Sequence, residues 1–97
     1  MDKRVALITG AAMGIGAAIA RRLARDGYAV VITDINALAA SETAAELNAQ
    51  GFDAWPVTMN VGNAASIAAG FAAVAQRYDR CDVLVNNAGI AKTYPFV

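Results

Sequence analysis

Four short apolar runs, separated by three longer stretches of helical periodicity, decide what this chain of 97 residues folds into. Residues 5–9 (VALIT) form a continuous apolar run that ends at Gly10, the pattern of a strand buried on both faces. From Gly14 onward Ile15, Ala18, Ile19 and Leu23 recur at helical spacing, while Arg21 and Arg25 take another face. Gly27 then stands where a helix C-terminus favours positive φ. Residues 28–33 (YAVVIT) are a second β-branched run. Asn36 is placed to cap a second helix through about residue 50, and Gly51 ends it as Gly27 ended the first. A weaker third strand is expected within residues 52–59, with Pro56 arguing for a sheet edge. Asn63 opens a third helix that presents Ile67, Phe71, Val74, Ala75 and Tyr78 on one face, and residues 82–86 form a fourth strand. Strict strand–helix alternation implies right-handed crossovers and a parallel sheet, an α/β architecture.

Composition removes several classes of function. Eight basic and eight acidic side chains cancel to a formal charge of zero, with a pI near 6.1, which leaves no electrostatic pull toward nucleic acid or anionic lipid. At 58% apolar and 16% charged residues, with mean hydropathy +0.42, the chain is too apolar for a disordered segment. It has no His and a single Cys, Cys81, so Ser-His and Cys-His catalysis, a His-bearing zinc site and an internal disulfide are excluded. No metal site is expected. Cys81, beside a strand, is expected to be a small apolar filler. Residues 5–20, following Lys3-Arg4, have the look of a signal peptide with cleavage after Ala20. Against export stand the glycines at 10, 14 and 16, and the Arg21-Arg22 that closes the run short of the roughly 20 residues a bilayer span needs. The expected location is cytoplasmic.

The segment Thr9 to Gly16 (TGAAMGIG) joins the first strand to the first helix. Gly10 turns the chain out of the strand without a Cβ penalty, Gly14 leaves room for a pyrophosphate against the backbone, and Gly16 allows close approach of helix to sheet. The helix N-terminus offers unpaired N–H groups and a partial positive charge to an anion, and no Lys or Arg lies between residues 5 and 20. The spacing differs from G-x-G-x-x-G, since alignment on Gly14 and Gly16 places Ile19 third, and no Walker A sequence occurs. Taken alone, the turn could merely connect strand to helix. Asp34, twenty residues beyond Gly14 at the end of the second strand, argues for more. A carboxylate there accepts hydrogen bonds from both hydroxyls of an adenosine ribose. It also repels a 2′-phosphate, by ~4 kcal/mol for unit charges about 4 Å apart at an effective dielectric near 20. A helix-capping role for Asp34 is the competing explanation, but Asn36 already suits that task. NAD is therefore expected in preference to NADP.

Together, T-G-x-x-x-G-x-G at Thr9 to Gly16 and N-N-A-G at Asn86-Asn87-Ala88-Gly89 make the chain resemble the short-chain dehydrogenase/reductase family from Arg4 to its end. The resemblance implies a Rossmann-like, doubly wound sheet with strand order 3-2-1-4. It implies that Thr9, Gly10, Met13, Gly14, Ile15 and Gly16 line the pyrophosphate, and that Met13 stands where members using NADP often carry a basic residue. Asp34 and Ile35 fall at the adenosine ribose. Asn60-Val61 matches a pair beside the adenine, where many members have Asp-Val. Asn87, Ala88 and Gly89 pass near the nicotinamide-side ribose, while Asn86 ties adjacent strands. The family's chemistry uses a Ser, with a Tyr and a Lys arranged as Y-x-x-x-K. Here Tyr28 and Tyr78 are followed at the fourth place by Ile32 and Asp82, Tyr94 has no fourth residue after it, and Ser41 and Ser66 precede N-N-A-G. The expectation is that residues 1–97 are a partial NAD-binding domain, an N-terminal portion without catalytic residues and inactive by itself. The parent would be a homo-oligomeric oxidoreductase acting on an alcohol or carbonyl. A non-catalytic nucleotide-binding or interaction module is the alternative. Residues 83–85 would form an exposed apolar edge, making this polypeptide alone unstable or self-associating.

Overall fold

The computed structural model describes residues 3–87. Its elements run β1 (Val5–Ile8), α1 (Gly14–Arg25), β2 (Ala29–Asp34), α2 (Ala37–Ala49), β3 (Ala54–Thr58), α3 (Ala64–Tyr78) and β4 (Val83–Val85). All pairings are parallel, and the sheet order is β3-β2-β1-β4, the order expected from the sequence. β1 is central, with Val5 opposite Ala29 on one side and Ala6 opposite Val83 on the other.

Strand residues alternate between two apolar layers, because successive side chains point to opposite faces. Ala6, Ile8, Val30 and Ile32 pack with Ala20 and Ala24 of α1 and with Ala40, Ala44 and Leu47 of α2. Val5, Leu7, Ala29 and Val31 pack with Val74 of α3, flanked by Phe71, Tyr78 and Trp55. The alanines on α1 and α2 bring the helix backbones close to the sheet, which holds the start of α1 near the end of β1. α3 is less deeply seated, with only Gly70 and Val74 buried, and Ala75, expected on its inner face, is exposed. Gly70 has a packing reason. Met59 is buried beneath it, and a Cβ at residue 70 would meet the Met59 Cε.

The helix ends follow the side chains that read as caps. Asn36 Oδ1 accepts from Ala39 N at 3.0 Å, and Asn63 Oδ1 accepts from Ser66 N at 2.9 Å. Gly27 and Gly51 adopt φ of 97° and 93°. α3 has no glycine after it, and Asp79 takes the left-handed conformation at φ 62° instead. β3 is an edge strand, as Pro56 requires, and Asn48 of α2 pairs with both backbone groups of Ala54 at 2.9 Å. At the other edge Leu84 is 56% exposed. Cys81 is not a filler. It is exposed in the loop before β4, because that strand begins only at Val83.

Asp82 locks that loop to β1. Its Oδ2 accepts from Val5 N at 2.8 Å, and its carboxylate receives Arg80 Nη2 at 2.7 Å and Nε at 2.8 Å. The Arg80 hydrogen bonds first, and the Val5 N–H second, hold the carboxyl below its ordinary value. A depressed folded-state pKa contributes stability that is present above the unfolded value of roughly 3.9 and lost as pH falls through the folded one. Asp82→Asn is therefore expected to lower the urea midpoint at neutral pH, with the gap to the parent closing in acid. A gap that stays constant from about pH 7 to about pH 2.5 would remove Asp82 from the account.

Candidate functional site

At the carboxyl ends of the strands the chain turns through two glycines from β1 into α1. Gly10, in the turn after β1, and Gly14, the first residue of α1, both have positive φ, 61° and 63°. Met13 occupies the N-cap position in extended conformation, with no side-chain cap hydrogen bond and no acidic residue in the first turn of α1. The positive end of the α1 dipole is therefore not neutralised by its own side chains. A Cβ built on Gly14 meets nothing within 4 Å, so the space above the turn is open.

The turn is held from every side. Thr9 N donates to Val85 O at 3.0 Å and Ala11 N to Thr33 O at 2.9 Å. Ala12 N donates to Asp34 Oδ2 at 3.1 Å, and Thr43 Oγ1 of α2 donates to Ala12 O at 2.7 Å. The buried Thr33 hydroxyl donates to Ile8 O at 2.7 Å. The segment after β4 closes the ring. Asn87 N donates to Thr9 Oγ1 at 2.9 Å, Asn87 Nδ2 to Gly10 O at 3.2 Å, and Thr9 Oγ1 to Asn86 Oδ1 at 3.2 Å. The glycine turn and the Asn-Asn pair, 77 residues apart, are thus a single hydrogen-bonded unit. Gly16 is essential to its closeness. A Cβ there would meet the Gly10 carbonyl oxygen and stand 2.7 Å from Asn87 Nδ2. The sequence pointed to helix–sheet approach at Gly16; the atoms actually met are those of the turn and of Asn87.

Asp34 lies at the end of β2, partly exposed, with Oδ1 accepting from Asn36 N at 3.0 Å in addition to the Ala12 contact. Each carboxylate oxygen retains acceptor capacity. Asn60 follows β3 and is exposed; its Oδ1 accepts from Gly62 N at 2.9 Å, and its own N–H donates to Ser66 Oγ at 2.8 Å. Met13, Ile15 (73% exposed), Ile35, Leu38 and Val61 are large apolar side chains left facing solvent, all beyond the carboxyl ends of strands. Single exposed apolar residues are ordinary, but a set gathered at one end of a sheet suits the apolar faces of a ligand. Ala88 and Gly89 lie outside the described residues.

Two clefts adjoin the turn. One of about 210 Å³ has Thr9, Met59, Val61, Phe71, Leu84 and Asn86 among its walls. The other, about 300 Å³, lies between α1 and α2 against Ala12, Met13, Gly14, Arg21, Thr43 and Glu46. A larger cleft of about 400 Å³ at the opposite, amino ends of the strands includes Lys3, Asp53, Arg77 and Tyr78. Size does not decide here. In open α/β sheets ligands bind outside the carboxyl ends, where the helix N-terminus and the glycine turn are found. Among the described residues no group of three or more His, Cys, Asp or Glu could hold a metal, and no helix is long and apolar enough to cross a membrane.

Thr33, Thr43 and Leu38 were not singled out by sequence. For Thr43 the one available signal was a hydroxyl on the helix face otherwise formed by Ala40, Ala44 and Leu47. The open, uncapped helix start, the carboxylate one strand away and the apolar rim together fit an adenine dinucleotide.

Comparison with known proteins agrees with that fit. A family model described as short chain dehydrogenase matches residues 4–97. The oxidoreductase YxjF of Bacillus subtilis is 43% identical over 95 residues, covering 98% of this chain and 37% of that protein. D-threitol dehydrogenase of Mycolicibacterium smegmatis is 43% identical over 95 residues, covering 98% of this chain and 36% of that protein. Among solved structures, a metagenomic short-chain oxidoreductase in complex with NADP superposes with TM-score 0.86 at 40% identity, over 93% of this chain and 41% of that one. The chain thus spans little more than a third of the length of the curated relatives it matches. With the family model matched almost end to end, and the turn and the Asn-Asn pair joined in one unit, the chain belongs to the short-chain dehydrogenase family.

Proposed function

We propose that residues 1–97 are the NAD-binding portion of an oxidoreductase that moves hydride between the cofactor and an alcohol or carbonyl substrate. The observation that carries the choice of NAD is the Asp34 carboxylate, tethered to the glycine turn through Ala12 N. It supplies acceptors for the ribose hydroxyls and opposes a 2′-phosphate. Met13, apolar and exposed beside the turn, adds no cation that would attract that phosphate.

In this reading the backbone from Gly10 to Gly16 and the α1 N-terminus bind the diphosphate. Ile15 and Met13 cover its rim, and Thr9 orients the turn toward Asn87. Ile35 and Val61 offer apolar contact to the adenine side, where the Asn60 side chain is already turned toward Gly62. Asn87, Ala88 and Gly89 approach the second ribose. Bound there, the nicotinamide supplies hydride exchange with the substrate carbon. Proton transfer to the substrate oxygen is assigned to the part of the relatives' length that this chain does not span.

Fluorescence titration of the full-length protein with NADH and NADPH tests the reading. NADH is expected to bind at least about tenfold more tightly, a difference of ~1.4 kcal/mol. Absence of nucleotide uptake, or equal affinity for the two, overturns it.

A further inference from the structure

We infer that Thr43 is a positioning residue for dinucleotide binding, acting from α2 by fixing the peptide that joins Ala12 to Met13. This rests on the dinucleotide-binding reading above and adds to it a residue that acts through the Ala12 peptide rather than as a donor to the ligand. Thr43 is 7% exposed, and its hydroxyl donates to Ala12 O at 2.7 Å. That carbonyl shares its peptide plane with the Met13 N–H, and the described chain contains no cis peptide bond. In a trans peptide C=O and N–H point in opposite directions. With the carbonyl drawn inward to Thr43, the Met13 N–H is turned away from α2's buried face, toward the opening of the turn at Gly14.

The other side of Ala12 is fixed as well, since its own N–H is bound to Asp34 Oδ2 at 3.1 Å. Ala12 is therefore gripped from α2 at its carbonyl and from β2 at its amide. The two peptide planes meet at the Ala12 Cα and couple only through its φ and ψ, so Thr43 acts chiefly on the diphosphate donors that follow Ala12. Thr33 makes a comparable hydroxyl contact, but to Ile8 O inside the strand, where the sheet already fixes the backbone. Ala12 lies outside the strands, and among the described residues the Thr43 hydroxyl is the partner that holds its carbonyl.

The test compares wild type, Thr43→Val and Thr43→Ser in the full-length protein, with NADH affinity measured well below each melting temperature. Valine keeps the shape and removes the donor; serine keeps the donor and removes the methyl. Thr43→Val is expected to bind NADH about tenfold more weakly, the effect of one lost buried hydrogen bond, and Thr43→Ser to recover affinity within about twofold of wild type. Thr43→Val that melts earlier yet binds as wild type overturns the inference, as does Thr43→Ser as weak as Thr43→Val. A Thr43→Val protein that fails to fold also overturns it, making the hydroxyl a matter of stability. Wild-type protein that takes up no nucleotide brings down the underlying reading instead, and the two failures are thereby distinct.

Discussion

Gly16→Ala is expected to weaken NADH binding by about 100-fold or more and to lower stability at the same time, the conversion being about tenfold per 1.4 kcal/mol. The added methyl would meet the Gly10 carbonyl oxygen, and it would stand 2.9 Å from the Gly10 carbon and 2.7 Å from Asn87 Nδ2. The Gly10 atoms are not free to retreat. Gly10 O is engaged by Asn87 Nδ2, the next amide, Ala11 N, is bound to Thr33 O, and Ala12 is held at both ends. Overpacking of a filled site costs typically about 1–3 kcal/mol even where neighbours shift. Here the shift must come from the same backbone that is proposed to face the diphosphate, so stability and binding fall together. Gly70→Ala provides the contrast. It also places a methyl inside a helix, where Ala is favoured over Gly by about 1 kcal/mol, but the atom it meets is the far end of the unbranched Met59 side chain rather than backbone. Denaturant melts and NADH titrations of both variants check the argument. A Gly16→Ala protein that binds within a few-fold of wild type would show that the turn is more compliant than its hydrogen bonds imply.

What the sequence made legible, and what it hid, divides along the same physical line. Features set by a residue and its immediate neighbours were readable: the caps at Asn36 and Asn63, the positive φ at Gly27 and Gly51, and Pro56 on an edge strand. The strand order came from the family resemblance, because alternation alone fixes parallel crossovers but not which strands adjoin. Contacts between a side chain and a distant backbone group were not readable. By sequence Asp34 reads as a ribose acceptor or a helix cap, yet it also binds Ala12 N and Asn36 N, donors whose directions depend on the folded turn. Thr43 escaped notice for the same reason, since a lone hydroxyl among alanines gives no hint of the carbonyl it will meet. Ala75 and Cys81 were misplaced because α3 is shallowly seated and β4 is only three residues long. In both places weak packing leaves exposed what the pattern alone would bury.

Asp34→Ala is expected to lower NADH affinity while removing the discrimination against NADPH, and the two effects arise from different parts of one carboxylate. Hydrogen bonds to a charged acceptor contribute about 1.5–3 kcal/mol, so losing the ribose contacts weakens NADH by roughly 10- to 150-fold. The charge itself is what would oppose a 2′-phosphate. At about 4 Å and an effective dielectric near 20 the repulsion is ~4 kcal/mol, and the partial exposure of Asp34 reduces that through solvent screening. NADPH gains from losing the repulsion while NADH only loses contacts, so the NADH-to-NADPH preference should collapse by about two orders of magnitude. The tethers to Ala12 N and Asn36 N complicate a single substitution, because alanine also frees the turn. Asp34→Asn separates the contributions. It keeps one oxygen acceptor for a tether and deletes the charge, so it should hold the turn better than alanine yet lose the discrimination nearly as fully. If instead Asp34→Asn keeps the wild-type preference and Asp34→Ala does not, the turn's geometry rather than the charge selects the cofactor. If both variants leave the ratio of the two affinities unchanged, selection lies elsewhere on the rim, and the assignment of NAD loses its physical basis.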